Sequence, residues 1–419
     1  MLSTRSSRRL LAVVLCLVLA SIPLAGCGRK AAASQAPTPA SSASASAGVS
    51  ASQPGSITAA NATPTVAETN TASPGAIQFP VIAPASLLEP PSYNGYEPLP
   101  SFTYHHVDPK LKNDIAIKPA TFEAQLKILQ SLGYHSVTAR QVVDHQTKGT
   151  PLPDKPVMIT FDDGWRNQYL NAWPLLKKYG FKATFFINPQ PISARYRGYM
   201  TRDMVVTLAK AGNDIESHTW RHFRVTRKAA ENAAAFQKRT ASEFTRANSW
   251  IAKVVGQAPV ALCYPYGYYD LESIGLAQAV GYKAGFSVDE GVADARQWDA
   301  FQMKRFTIEN IDTAETFRQR LLSGLLPVTD IQPAPGSRSV GVDTTVSVNI
   351  SAVPSTITGL RLAGGPKTRP MQVVQRGGQR YAEIFVHGGR VGFHAIGMKG
   401  TGPDGRMYFA SWGIETGDK

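Results

Sequence analysis

Val157-Met158-Ile159-Thr160-Phe161-Asp162-Asp163-Gly164 is the stretch on which the reading of this chain turns. A short apolar run of the kind that forms a buried parallel strand ends in two adjacent carboxylates and a glycine. Acids in that position sit at the carboxyl end of a strand, where α/β folds gather their ligands. Two carboxylates side by side in a partly enclosed site repel each other unless a proton or a cation is shared between them. Turn and cap chemistry accounts for Asp-Asp-Gly as well, so the stretch alone leaves both readings open.

Strand and helix signals alternate on either side of it. Upstream, residues 99–107 read as a first strand. Residues 121–132 read as a helix with Thr121 as N-cap and Gly133 as C-cap, and 134–138 as a second strand leading into a helix from Ala139. Downstream, helices are expected over 165–179, 201–211, 229–255 and 271–280, with strands over 183–187, 213–218 and 260–263 between them. Repeated units of this length indicate an α/β domain, a parallel barrel over residues 98–326. Past Pro327 the pattern becomes short alternating runs (339–350, 371–374, 381–386, 407–412) separated by glycine-rich turns, which reads as an accessory β-sandwich over 327–419.

The next chemical signal is Ser217-His218-Thr219-Trp220-Arg221-His222, two histidines four apart at the end of an expected strand. On a helical turn this spacing puts both imidazoles on one face, within reach of one ion. With Asp163 added, the set is two neutral nitrogens and one carboxylate, a three-ligand site with a position open for water, as in catalytic zinc centres. Asp162 then stands beside that water as a candidate proton acceptor.

Thr160 to Gly164 together with His218 and His222 resembles the polysaccharide deacetylases of the NodB-like class, carbohydrate esterase family four. The resemblance spans about residues 99–310. It implies a distorted (β/α) barrel that removes acetyl groups from N-acetylglucosamine units of chitin, peptidoglycan or exopolysaccharide. It further implies Asp162 as general base, and Asp163, His218 and His222 as ligands of a divalent ion, Zn2+ by expectation. Leu262-Cys263-Tyr264-Pro265-Tyr266-Gly267 stands at the family's third motif, where the Tyr266 N–H would help hold the oxyanion.

Two departures from the pattern matter. Cys263 occupies the place of the arginine that usually orients the base, and Arg305 is the substitute the sequence offers. The late leaving-group histidine is also missing, since no histidine lies between His222 and His387. A branch acting on poly-N-acetylglucosamine carries that histidine on its first strand in a Tyr-His sequence. Tyr104-His105-His106-Val107 is similar, which makes His105 the general-acid candidate and His106 a structural neighbour on the opposite face.

At the amino end, Arg5, Arg8 and Arg9 precede an apolar run from Leu10 to Leu19, followed by Leu24-Ala25-Gly26-Cys27. This reads as a lipoprotein signal over 1–26, with lipidated Cys27 as the membrane anchor. Residues 27–97, rich in Ala, Ser, Thr and Pro, read as a disordered tether. Loss of residues 1–26, with three arginines and no acid, lowers the formal charge from +14 to +11. Such a balance suits an anionic envelope, yet no basic run interleaved with aromatics or reading motif argues for nucleic acid. Cys16 leaves with the signal and Cys27 carries lipid, so Cys263 has no disulfide partner.

The sequence therefore reads as an extracytoplasmic, lipid-anchored, metal-dependent N-deacetylase of an N-acetylglucosamine polymer, with a poly-N-acetylglucosamine exopolysaccharide of biofilms as the leading substrate. Peptidoglycan or chitin oligomers are the other substrates, and an inactive glycan-binding lipoprotein is the reading from a different class.

Overall fold

The computed structural model describes residues 97–419 except 229, 297–299, 341–342, 365–369, 388–391 and 418–419. The signal, Cys27 and the tether up to residue 96 lie outside the described residues. Among those described, no helix is long and apolar enough to cross a membrane.

Eight parallel strands form the first sheet: β1 (Ser101–Tyr104), β2 (His135–Val137), β3 (Pro156–Asp163), β4 (Thr184–Ile187), β5 (Asp214–Ser217), β6 (Ala261–Cys263), β7 (Ala284–Phe286) and β8 (Phe306–Thr307). Their order is β7-β6-β5-β4-β3-β1-β8, with β2 pairing the start of β3. A parallel bridge from Phe286 to Met303 brings the chain just before β8 onto β7, so the sheet curls towards a distorted barrel. Among the described residues β3 is the only strand of this sheet with three partners, and it is buried from Val157 to Asp163. That central place explains its unbroken apolar run and fixes the acids at its carboxyl end.

Helices cover the outside: α1 (Pro119–Ser131), α2 (Ala139–Lys148), α3 (Trp173–Tyr179), α4 (Arg202–Lys210), α5 (Ala233–Val255), α6 (Leu271–Val280) and α7 (Ala314–Leu321). Thr138 with Gln141 and Asp270 with Ser273 make capping boxes, and Gly149, Gly180, Gly256 and Gly281 end helices in the left-handed conformation. Three expectations are corrected. α1 starts at Pro119 after Lys118, because proline fits the first helical position, so Thr121 is inside the helix. The first strand is broken by a bend at His105. Trp165 bridges to Tyr199 in place of starting a helix, and the chain then winds through a π-helical turn at Gln168–Ala172 before α3.

The carboxyl-terminal part is β9 (Gly324–Leu325), β10 (Thr329–Gln332), β11 (Arg338–Val340), β12 (Asp343–Asn349), β13 (Thr358–Gly364), β14 (Gln372–Arg376), β15 (Gln379–His387), β16 (Gly392–Thr401) and β17 (Met407–Gly417). One sheet runs β9-β17-β16-β13 with β11 also on β17, and the other runs β10-β12-β15-β14. Val346, Val348, Ile384, Ile396, Met398, Trp412 and Ile414 fill the space between them, which makes a sandwich. β9 and β11 pair parallel to β17, unlike a purely antiparallel immunoglobulin-type sheet.

The sandwich is joined to the barrel by polar and aromatic contacts. The Gly413 N–H donates to the Tyr269 hydroxyl at 2.9 Å, and that hydroxyl donates to Asp289 Oδ2 at 2.9 Å. Phe393 lies 5.0 Å from the Tyr268 ring and 5.4 Å from Tyr269, and Phe409 meets Phe306 edge-on at 5.6 Å.

Candidate metal centre and active site

Asp163, the last residue of β3, takes a left-handed backbone (φ 75°) and Gly164 follows it at φ 81°. Two such residues in succession turn the chain sharply, so both carboxylates stay at the strand's mouth. A β-carbon at Gly164 would stand 3.2–3.3 Å from Ile187 and Ile192, so glycine is required for space as well as for φ.

His218 and His222 reach Asp163 from the loop after β5. The chain here is irregular and not the helical turn expected for i, i+4 histidines, because Thr219 (φ 64°) and His222 (φ 62°) are both left-handed. Thr219 Oγ1 accepts from the His222 N–H at 3.1 Å, and Asn188 donates to the carbonyls of His218 and Thr219. Arg221 ties the same loop to α5 through Glu243, by its N–H at 2.8 Å and its Nε at 2.7 Å.

The result is convergence on one point. Asp163 Oδ1 lies 3.5 Å from His218 Nε2 and 3.4 Å from His222 Nε2. Two of the three are oriented from behind: His218 Nδ1 bonds the Cys263 carbonyl at 2.8 Å, and Trp165 Nε1 donates to Asp163 Oδ2 at 2.8 Å. That leaves two imidazole Nε2 atoms and one carboxylate oxygen within 4.8 Å of one another, a donor set that fits a divalent cation. Asp162, His218 and Cys263 also cluster, but both Asp162 oxygens and the Cys263 sulfur are engaged by Arg305, which leaves them poor ligands.

Arg305 is fully buried and grips Asp162 with two parallel bonds of 2.8 Å. Its other contacts are the Ser287 carbonyl at 2.9 Å, the Thr103 and Thr160 hydroxyls at 3.0 Å each, and Cys263 Sγ at 3.0 Å. The guanidinium thus enters the place that the small Cys263 side chain leaves open. Burial alone would raise the Asp162 carboxyl, but Arg305 and the neighbouring histidines hold it well below the usual carboxylate range. Asp163 behaves alike: burial opposes ionisation, the histidines favour it, and the value falls to about 2. Burial and the nearby His218 depress His222 to about 4, so its ring is neutral at neutral pH, whereas His218, although burial opposes its charge, is held up by Cys263 and Asp163.

His105 sits at the bend between β1 and residues 106–107, half-buried, with Nδ1 making no hydrogen bond. Its field reaches Asp162, Asp163 and His222. His106 faces a separate environment, with Asn167 Nδ2 3.1 Å from its Nδ1 and Trp165 packed 4.6 Å from its ring. Gln168, in the π-helical turn, donates from one Nε2 to the carbonyls of His105 (2.8 Å) and Asp162 (2.6 Å), locking the two strand ends together. Tyr266 is left-handed at the tip of the 265–267 turn (φ 61°), with its ring 4.5 Å from His222.

Gln168, Asn188 and Glu243 were not singled out from the sequence. Each is an ordinary polar residue whose importance comes from a partner distant in the chain.

A polysaccharide deacetylase family model matches residues 149–285. A Bacillus subtilis (strain 168) protein, YxkH, whose name places it provisionally among the polysaccharide deacetylases, is 31% identical over 199 residues, covering 48% of this chain and 67% of its own. The chain belongs to the polysaccharide deacetylase family. The parallel sheet that curls towards a barrel is the architecture the resemblance implied. A Staphylococcus aureus (strain MRSA252) protein named poly-beta-1,6-N-acetyl-D-glucosamine N-deacetylase is 25% identical over 199 residues, 46% of this chain and 68% of its own. One of the same name from Escherichia coli (strain K12) is 22% identical over 271 residues, 56% of this chain but only 40% of its own length. The matched family segment contains Asp162, Asp163, His218, His222, Cys263 and Tyr266, while His105 and Arg305 lie outside it.

Proposed function

We propose that the chain hydrolyses the acetamide of N-acetylglucosamine residues in an extracytoplasmic polysaccharide of the poly-N-acetylglucosamine type, with a divalent ion, Zn2+, as cofactor. The observation that carries this is the convergence of Asp163, His218 and His222 beside a carboxylate, Asp162, held in place by Arg305. The three convergent atoms would hold the ion. Once bound it would supply Lewis-acid polarisation and ease loss of a proton from water.

The chain's own residues supply the rest. Asp162, ionised and fixed by two charge-assisted bonds, receives the proton of the water that attacks the acetamide carbon. The Tyr266 N–H, at the tip of its turn, donates to the oxygen that gains negative charge. His105 gives a proton to the amine as the carbon–nitrogen bond breaks, which releases acetate and leaves glucosamine. Arg305 acts through Asp162 as a positioning residue.

The relatives' names and the Tyr-His at the first strand favour β-1,6-linked N-acetylglucosamine over peptidoglycan or chitin. Cys27 would anchor the enzyme to the cell membrane, with the 27–97 tether giving it reach. Acetate release from a β-1,6-linked oligomer by the full chain, with chelator and with zinc restored, tests the reading. Chelator-sensitive release is the expected result. Release from peptidoglycan or chitin oligomers alone would move the substrate, and none from any polymer by zinc-loaded protein would overturn the enzyme. Loss of lipid labelling and membrane retention in Cys27→Ser tests the anchor.

A further inference from the structure

The loop between helix 189–193 and α4 is zipped onto the turn that carries Asp163. The Arg166 N–H donates to the Gly198 carbonyl at 2.7 Å, the Met200 N–H to the Gly164 carbonyl at 2.9 Å, and the Tyr199 ring stacks on Trp165 at 4.3 Å. Beside this junction lies an open groove of about 720 Å³, of the size that holds a small-molecule group.

Four exposed arginines line it: Arg166, Arg195, Arg197 and Arg202. None makes an ion pair or a side-chain hydrogen bond among the described residues, whereas Arg140, Arg221, Arg224, Arg239, Arg305 and Arg320 are all paired with acids. Asp203 is the only acid in the lining, against four guanidinium groups. Gathering like charges round one concavity is unfavourable unless an anion enters it, and guanidinium forks match carboxylate and phosphate oxygens in pairs. Tyr196, 55% exposed at the same groove, offers a flat face of the kind on which a sugar ring lies.

We infer that this groove is a subsite for a carboxylate group carried by the polymer close to the N-acetylglucosamine being deacetylated. The enzyme then prefers an acidic glycan, and segments already converted to cationic glucosamine are repelled from the groove. The preference as a substrate preference rests on the deacetylase reading above; the binding of an acidic glycan does not.

The test uses the full chain with zinc, as wild type, as the Arg195→Gln, Arg197→Gln, Arg202→Gln triple variant, and as the single charge reversal Arg197→Glu. Three oligomers of equal length serve as probes: neutral β-1,6-linked N-acetylglucosamine, the same oligomer bearing carboxylate half-esters, and an oligomer in which alternate sugars carry a lactyl ether. Equilibrium binding and kcat/KM for acetate release are both measured.

Wild type should bind at least one acidic oligomer about tenfold or more tightly than the neutral one, with added salt narrowing the gap. The variants should lose that difference through KM at unchanged kcat, while keeping wild-type behaviour on the neutral oligomer. Preference for the half-ester or for the lactyl ether supports the groove equally and identifies the anion's source. Equal affinity for acidic and neutral oligomers, or equal losses on both in the variants, would overturn the subsite. If wild type releases acetate from nothing, the deacetylase reading fails, and the binding arm still decides the groove.

Discussion

At the residue scale, the two adjacent acids face different partners. Asp163 faces the histidines and Asp162 faces Arg305, so Asp162→Asn should keep its metal while kcat drops by roughly 10²–10⁴-fold. His222→Ala should lose both, and zinc per chain measured beside turnover separates the two cases. A fully active Asp162→Asn protein would sink the assignment of the base. Arg305→Met leaves a buried carboxylate without its counter-charge. Asp162 is depressed in the folded state, so its stabilisation is complete above the unfolded carboxylate value and lost only as pH falls below the usual carboxylate range. Without Arg305 burial dominates and the carboxyl rises, so the acid limb of kcat/KM at saturating zinc should move to higher pH. An unmoved acid limb would mean that Arg305 only fills space.

At the element scale, the turn after β3 and the loop after β5 are left-handed at two of the proposed metal ligands and beside them: Asp163, Gly164, Thr219 and His222. Such conformations persist because the surroundings hold them, here through Trp165, Asn188 and the Arg221–Glu243 pair. Trp165→Phe keeps a ring for Tyr199 to stack on but removes the donor to Asp163 Oδ2. Zinc affinity should fall about 10–100-fold by competition with a chromophoric chelator, while chain stability changes little. Unchanged affinity would show that His218 and His222 alone orient the carboxylate.

At the scale of the whole molecule, the sandwich is fastened to the barrel next to the turn that carries Tyr266, since Tyr268 and Tyr269 follow it by two and three residues and contact Phe393. The Tyr269 hydroxyl bridges buried Asp289 and the Gly413 N–H. Tyr269→Phe removes one hydroxyl and leaves both groups short of a partner, which should cost ~1–3 kcal/mol in chemical denaturation. Loosening of the joint should also make residues 407–417 exchange amide hydrogens faster. Wild-type exchange and stability would mean that the apolar contacts alone hold the joint.

The sequence by itself determined the strand that carries Asp162 and Asp163, the donors His218 and His222, and the barrel and sandwich classes. These are written locally, as an apolar run, a histidine spacing and a change of period from helix to strand. β13 and β16 escaped notice because glycines interrupt their alternation. Helical spacing likewise placed the two histidines on a turn that the chain forms without helix. Only the tertiary structure decided that Arg305, 143 residues from Asp162, fills the place Cys263 leaves open, and that four arginines unpaired among the described residues gather in one groove beside the turn after β3. A guanidinium carries no periodic signature, and what it pairs with, or fails to pair with, is fixed by which segments the fold brings side by side.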